Sequence, residues 1–333
     1  MFIIQSYTTA ILFCFITMLC WGSWANTQKM AGSRWRFEFF YWDYVLGIVL
    51  ISVISAFTLG SIGGYGRSFL ADLQQAGSSS ITGALVGGVV FNAANILLVA
   101  AISIAGMAVA FPIGIGLALI LGVLVNYMAS QKGDFTFLFM GVLLVAVAIV
   151  LNASAFGKMN RATTTSPRKG ILLALAAGLL MSFFYRFIAA SMDLENFYTP
   201  AAGKMTPYTA VFIFSIGILV SNIVFNTILI KHPLSGTPGT YRQYFSGHWK
   251  LHLAGITGGI IWGIGNSFNL IAAGKAGAAV SYGLGQGATL VAALWGVFVW
   301  KEFKGGSKSV STLLAAMFIC FIAGLGLIIY AGL

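Results

Sequence analysis

Two pairs of asparagines lie inside apolar stretches of the sequence, where polar side chains are rare. Asn92 and Asn95 are three residues apart, and Asn266 and Asn269 have the same spacing, which places both members of each pair on one face of a helix. A carboxamide both donates and accepts hydrogen bonds, as recognition of hydroxyl, urea or carbonyl groups requires. The pairs predict a binding site for a neutral polar solute, and the alternative is a purely structural role in joining helices.

Six other side chains are suited to the same site. Flat aromatic faces pack against sugar rings and planar nitrogen compounds alike, although Trp24 also suits the membrane interface. Arg186 is the single charge well inside a predicted helix, where it could contact the solute, pair with a carboxylate or reach towards a helix end. To the four asparagines we therefore add, as predicted substrate-binding residues, Trp21, Trp24, Arg186, Trp262, Tyr282 and Gln286.

Acidic residues are absent from the middle of every predicted helix, and a proton-coupled carrier generally needs a carboxylate. Asp43, predicted to open the second membrane span, and Glu302, predicted to close the ninth, are the acids closest to that role. Both have ordinary alternatives: Asp43 as a helix cap, and Glu302 in an ion pair with Lys301 or Lys304. We predict that one of the two carries the coupling proton.

Several classes of chemistry find no support in the sequence. No Gly-x-x-x-x-Gly-Lys-Ser/Thr motif is present, so nothing predicts an ATP-driven pump. The three cysteines, Cys14, Cys20 and Cys320, lie in apolar runs at spacings that fit no metal site or disulfide framework. Serine, histidine and acidic residues form no catalytic grouping, so we predict neither an enzyme nor a bound cofactor or metal.

The elements that must position these residues are membrane helices. Of 333 residues, 59% are hydrophobic and 8% are charged, which is too apolar for a water-soluble fold. Ten apolar runs fit the hydropathy, and each is continuous and about 20 residues long, the length of a transmembrane helix. The net charge of +11 lies mainly in short loops between the runs, so it indicates contact with a lipid bilayer rather than with nucleic acid.

The chain repeats itself at an offset of 171 residues. Residues 87–119 and 258–290 share 11 identities in 33 gap-free positions, where about 3 or 4 are expected by chance in so apolar a chain. Five helices per copy is an odd number, so the copies must cross the membrane in opposite senses. We predict an all-α membrane protein of ten helices in two inverted five-helix repeats: residues 1–156, a cytoplasmic linker at 157–169, and residues 170–333.

Basic residues in the loops predict how the chain is oriented. Thirteen Lys and Arg residues lie in the loops on one side and four in the loops on the other, and loops rich in Lys and Arg face the cytoplasm. Both termini are therefore expected outside, with the protein in an inner or plasma membrane.

Two predicted helices contain weakening residues at matching positions. The ninth contains Gly283, Gly285 and Gly287, and its counterpart in the fourth contains Pro112, which lacks a backbone donor. Interrupted helices at matching places in two repeats are a pointer to a transport site. Close helix packing through glycine is the alternative.

Short motifs along the chain are similar to those of one transporter family. They are Cys-Trp-Gly-Ser-Trp at 20–24, Tyr-Trp-Asp-Tyr at 41–44, Gly-Asn at 265–266, Trp-Gly-Val at 295–297 and Lys-Glu-Phe at 301–303. In this order they resemble the ureide permease family, within the drug/metabolite transporter superfamily and close to its glucose/ribose porters. The resemblance implies a ten-helix carrier that works by alternating access and takes up small neutral solutes together with protons.

From the residues and the resemblance together, we predict a secondary active transporter that imports a small neutral polar solute. A monosaccharide is favoured over a ureide or nucleobase-type, allantoin-like solute. Plant ureide permeases have a long cytosolic loop with a nucleotide-binding-like motif, which the short connector at 157–169 lacks. The alternatives of another class are a metabolite exporter and a membrane receptor or scaffold that transports nothing.

Overall fold

The structure, a computed structural model, describes residues 1–32, 35–105, 107–159, 167–233 and 237–333. Within these ranges the chain is almost entirely helical and contains no β-strand, because in lipid each apolar segment must satisfy its own backbone hydrogen bonds. The helices in chain order are α1 Tyr7–Ser23, α2 Ala25–Ala31, α3 Phe37–Phe57, α4 Phe69–Gln75, α5 Ser78–Ala105, α6 Met107–Ser130, α7 Phe135–Met159, α8 Pro167–Ala190, α9 Pro207–Lys231, α10 Tyr241–Phe245, α11 Trp249–Ala276, α12 Ala278–Gln286, α13 Ala288–Leu294 and α14 Lys308–Tyr330, with a π-helical turn at Trp295–Val299.

Ten helical segments of the described chain are long and apolar enough to cross a membrane. This number confirms the predicted all-helical membrane fold. The first segment joins α1 and α2, and the ninth joins α12, α13 and the π-helical turn. A single residue, Gly277, separates α11 from α12. Its φ is +82°, which glycine adopts without steric cost.

Three local predictions can be compared with the helices directly. α3 begins at Phe37, so Asp43 lies in its second turn and the prediction that Asp43 opens the span is wrong. The interruption predicted at Pro112 is also wrong, because α6 continues through this residue as an α-helix. The ninth span is interrupted as predicted, between α12 and α13 at Gly287.

The chain forms two compact units. Unit 1 comprises Met1–Asn92 and Phe187–Lys275, and unit 2 comprises Ala93–Arg186 and Ala276–Leu333. Each unit takes segments from both predicted sequence repeats, so units and repeats divide the chain in different ways. The repeats, their inverted orientation and the linker at 157–169 remain predictions. Residues 160–166 of that linker, which include the basic residue Arg161, lie outside the described residues, as does Arg34 in the first basic loop.

Helices in unit 1 cross closely at glycines. A Cβ atom on Gly259 of α11 would lie 1.9 Å from the Tyr44 carbonyl oxygen of α3, and one on Gly88 of α5 would lie 2.2 Å from the Phe214 carbonyl oxygen of α9. Only glycine permits such close backbone contact. Gly88 and Gly259 are 171 residues apart, so the two crossings have the spacing of the sequence repeat.

Unit 2 is held together by similar contacts. α7 and α14 cross at Gly141 and Gly324, where a Cβ atom on either glycine would lie within 2.8 Å of the other's carbonyl oxygen. On α6, Gly122 leaves room for the ring of Tyr282 from α12. Small residues at helix contacts are typical of membrane proteins, where close packing rather than the hydrophobic effect joins helices.

Candidate functional site

An aromatic cluster lies at the centre of unit 1, around Trp262 of α11. The Trp262 side chain is 5% exposed. Trp21 of α1 stacks on it with ring centroids 5.8 Å apart and an interplanar angle of 10°. Phe91 of α5 lies 4.5 Å from Trp262, Tyr44 of α3 lies 6.3 Å away and Phe214 of α9 lies 6.5 Å away. We call these five residues, which come from five different helices, the Trp262 cluster.

The second predicted tryptophan of the first span adjoins the same cluster. Trp24 follows directly after α1 and its ring lies 4.7 Å from that of Tyr44. Trp21 and Trp24 are three residues apart, so both reach the same side of the helix. The structure therefore brings together the predicted residues Trp21, Trp24 and Trp262.

Three side chains at the cluster carry polar atoms that have no hydrogen-bond partner among the described residues. They are the Trp21 indole Nε1, the Tyr44 hydroxyl and both polar atoms of the Asn266 carboxamide, all buried. Asn266 follows Trp262 by one helical turn and is 1% exposed. Leaving a buried polar group unpaired costs about 1–3 kcal/mol. The cluster thus has hydrogen-bonding capacity that its own side chains do not use.

Asn92 has the same side chain as Asn266 but a different environment. Its Oδ1 accepts a hydrogen bond of 2.8 Å from the Tyr41 hydroxyl, and its Nδ2 donates to the Ser221 hydroxyl at 2.9 Å. Asn92 therefore connects α5 to α3 and α9, which is the structural role considered for the asparagine pairs. The third predicted asparagine in unit 1, Asn269, is fully buried on α11.

The remaining predicted binding residues belong to unit 2: Asn95, Arg186, Tyr282 and Gln286. Tyr282 is fully buried. Its hydroxyl lies within 3.3 Å of the backbone carbonyl oxygens of Ala118 and Met181, so within unit 2 it stabilises packing. Arg186 is half-buried in the last turns of α8. Among the side chains that the structure describes, no carboxylate forms an ion pair with it.

Asp43 lies at the centre of a polar cluster at one end of unit 1. Its carboxylate, 1% exposed, accepts hydrogen bonds from the Trp35 indole at 2.9 Å and the Tyr244 hydroxyl at 2.7 Å. His252 Nδ1 lies 2.9 Å from the same carboxylate. Burial, and then the bond to Asp43, raises the pKa of Tyr244, so this hydroxyl remains a donor throughout the physiological range. These side-chain partners show that Asp43 is not a helix cap.

A second acid forms a matching cluster at the opposite end of α3. Asp72 of α4 is fully buried and bonds to Arg67 Nε at 2.9 Å and to the backbone N–H of Thr206 at 2.7 Å. Arg67 and Gln75 also donate to the Lys204 carbonyl oxygen. The start of α9 is thereby fixed to α4, as the start of α3 is fixed to α10 through Asp43 and Tyr244.

Glu302, the other predicted coupling acid, is exposed on the turn before α14 in unit 2. Its backbone N–H donates to the Gly296 carbonyl oxygen at 2.9 Å. The burial of Asp43 distinguishes the two acids.

The structure adds site residues that the sequence did not predict, and the roles of these residues depend on partners far away in the sequence. Phe91 could have been found, because the repeat offset aligns it with Trp262. Tyr44 lies in the Tyr-Trp-Asp-Tyr motif but is not among the predicted binding residues. Asp72 gave no signal beyond being an acid in a loop. In the described chain, no group of three or more His, Cys, Asp or Glu residues could hold a metal ion.

Ten apolar helical segments in the described part of the chain, with aromatic and amide side chains buried among them, define a multi-pass helical membrane protein. The family follows from comparison with known proteins. The chain belongs to the ureide permease family, whose model, described as ureide permease, matches residues 40–167 and 158–331. Membership of a permease family makes the chain a membrane transporter and not an enzyme, as the sequence predicts.

Curated relatives are similar along almost the whole chain. Ureide permease 1 of Arabidopsis thaliana is 24% identical over 384 aligned positions, covering 98% of each chain, and ureide permease 2 of the same plant is 23% identical with the same coverage. Probable ureide permease A3 of Vigna unguiculata is 24% identical, covering 92% of this chain and 98% of its own. The alignments exceed this chain's 333 residues, so these relatives carry additional residues.

A chain of known crystal structure has a similar fold. The two superpose with a TM-score of 0.64 over 97% of each chain, at 17% sequence identity. This similarity supports the fold alone.

Proposed function

We propose that the chain imports a small, neutral, planar ureide or nucleobase-type solute, and that the Trp262 cluster together with Asn266 binds it. The sequence favoured a monosaccharide, with the ureide-type solute as its alternative. Membership of the ureide permease family supports that alternative better. We further propose that the bound solute crosses the membrane by alternating access.

The observation that carries the proposal is the convergence of unpartnered polar atoms on aromatic faces. Trp21 and Tyr44 offer N–H and O–H donors, and Asn266 offers a donor and an acceptor. A cyclic ureide is flat, uncharged and lined with carbonyl and N–H groups, so it could stack on Trp262 while satisfying those atoms. Solute binding would thereby recover free energy that the empty site forgoes.

Coupling to protons is assigned to Asp43. Import against a gradient needs an energy source, and the sequence has no nucleotide-binding motif. Asp43 is buried, whereas Glu302 is exposed. Protonation of Asp43 would weaken its acceptance of bonds from Trp35, Tyr244 and His252 and so loosen the contact between α3 and α10. Proton binding to Asp43 would thereby favour opening of unit 1 at the end where α3 contacts α10.

The orientation of the chain is part of the proposal. Thirteen loop Lys and Arg residues against four support both termini outside, in a plasma or inner membrane. The loop before α3 is then cytoplasmic, so the Asp43 cluster faces the cytoplasm and the Asp72 cluster faces outside.

A thermal-shift screen of the purified transporter tests the proposed solute class. A ligand that binds the folded state alone adds about 2.7 kcal/mol of stability at 100 times its Kd. Hydantoin, uracil and allantoin are expected to raise the apparent Tm, and glucose and ribose at equal concentrations are not. A rise with the sugars alone would reverse the choice of solute.

A further inference from the structure

Tyr44 and Phe214 occupy equivalent positions in two equivalent helix crossings. The carbonyl oxygen of Tyr44 faces Gly259, and that of Phe214 faces Gly88, with the distances given above. The two glycines are 171 residues apart and the two aromatic residues 170. The same local arrangement therefore occurs twice within unit 1.

The rings repeat the pattern. Tyr44 packs on Trp262 at 6.3 Å, and Phe214 packs on Phe91, the residue aligned with Trp262, at 5.7 Å. Phe91 and Trp262 meet at 4.5 Å and join the two pairs. The pairs are alike in shape but differ in polarity, because only Tyr44 and Trp262 carry polar atoms.

Among the Trp262 cluster and the two asparagines compared above, Asn92 and Asn266, unused hydrogen-bonding capacity lies on one side. Tyr44, Trp21 and Asn266 provide the polar atoms that lack partners among the described residues. On the other side, the side chains of Phe91 and Phe214 carry no polar atoms. The neighbouring Asn92 is already hydrogen-bonded to Tyr41 of α3 and Ser221 of α9. A ligand that suits both sides has carbonyl and N–H groups along one edge and apolar surface along the other.

We infer that Tyr44 is the specificity-determining residue for the solute, its hydroxyl donating to a carbonyl oxygen on the polar edge. This inference rests on the proposed function. A monosaccharide carries hydroxyl groups around its whole rim and would leave several of them unpaired against Phe91 and Phe214. The polar side of the cluster thus binds the carbonyl and N–H groups of a compact ring ureide, and its apolar side disfavours sugars by leaving their hydroxyl groups unpaired.

Tyr44→Phe and Phe214→Tyr form a matched pair of variants, one removing the hydroxyl and the other adding it at the equivalent position. Because the Tyr44 hydroxyl has no hydrogen-bond partner among the described residues, Tyr44→Phe is expected to leave the apparent Tm without solute unchanged or raised. Its Kd for hydantoin should increase roughly 2- to 13-fold, the equivalent of one lost hydrogen bond. The double variant should bind as weakly as Tyr44→Phe alone. Wild-type affinity in Tyr44→Phe, or its recovery in the double variant, would overturn the inference.

Specificity itself is tested with two analogues that each lack one carbonyl of hydantoin, 2-imidazolidinone and 4-imidazolidinone. Tyr44→Phe is expected to abolish the preference for hydantoin over one of them and to retain the preference over the other, since one hydroxyl serves one carbonyl. Unchanged preference over both would make the hydroxyl irrelevant to selection while leaving the proposed function intact. If the wild type binds none of hydantoin, uracil and allantoin, the proposed function fails, and this inference with it.

Discussion

Asn92 and Asn266 are chemically identical, but they differ in what surrounds the carboxamide. Tyr41 and Ser221 use both ends of the Asn92 side chain, whereas both polar atoms of Asn266 are buried without a partner in the described residues. A satisfied buried amide stabilises the fold, and an unsatisfied one costs free energy unless a ligand completes it. The two residues therefore divide the roles that the sequence left open for both.

Alanine substitutions should separate these roles. Asn266→Ala is expected to weaken hydantoin uptake several-fold with little change in apparent Tm, because the Asn266 side chain makes no hydrogen bond to the described residues. Asn92→Ala removes the hydrogen bonds of Asn92 to Tyr41 and Ser221 and should lower the free energy of unfolding by about 1–3 kcal/mol. Uptake in proteoliposomes and thermal unfolding in detergent measure the two effects. A normal rate for Asn266→Ala would identify it as a packing residue.

At the scale of elements, unit 1 is built on close crossings and on polar clusters that fix helix starts. α3 meets α11 at Gly259, and α9 meets α5 at Gly88. α4 and α10 are short helices that each bring a side chain, Asp72 or Tyr244, to the start of a long one. These contacts hold the aromatic rings of the Trp262 cluster at the distances observed.

Gly259→Ala tests the importance of the α3–α11 crossing. The added methyl group would lie 1.9 Å from the Tyr44 carbonyl oxygen, so the helices must separate at a cost of about 1–3 kcal/mol. Gly326→Ala on α14 is the control, because nothing lies within 4 Å of its Cβ position, and it should be neutral or stabilising by up to about 1 kcal/mol. Apparent Tm values that fall equally in both variants would contradict the tight crossing.

At the scale of the whole molecule, composition made the ten spans predictable, because lipid permits few alternatives to continuous apolar helices. The repeated segment 258–290 likewise contains Trp262 and Asn266, four residues apart in one predicted helix. The partners of Asp43 could not be found in this way, since Tyr244 and His252 are 201 and 209 residues away in sequence. Nor could the sequence distinguish Asn92 from Asn266, because both are asparagines inside predicted membrane helices.

Proton coupling is tested by neutralising each acid with its amide. Asp43→Asn is expected to abolish solute accumulation driven by an imposed pH gradient while sparing exchange between the two sides. Glu302→Gln, at the exposed acid, should accumulate solute normally. Wild-type uptake that ignores both the gradient and a protonophore would make the protein a facilitator and Asp43 a structural residue.

Orientation is tested with single cysteines in a background lacking Cys14, Cys20 and Cys320. Lys169→Cys, exposed at the start of α8, should be shielded from an impermeant thiol reagent added to intact cells. Gly64→Cys, in the loop after α3 with nothing within 4 Å of its Cβ position, should react readily. The opposite pattern would invert the topology.

The most direct measurement is competition for transport in proteoliposomes that contain only this protein. Uptake of labelled hydantoin is expected to be saturable, to be displaced by excess uracil or allantoin and not by glucose, and to fall sharply in Trp262→Ala, which removes the ring at the centre of the cluster. Saturable uptake of glucose that hydantoin does not inhibit, or hydantoin uptake that is unaffected in Trp262→Ala, would contradict the account.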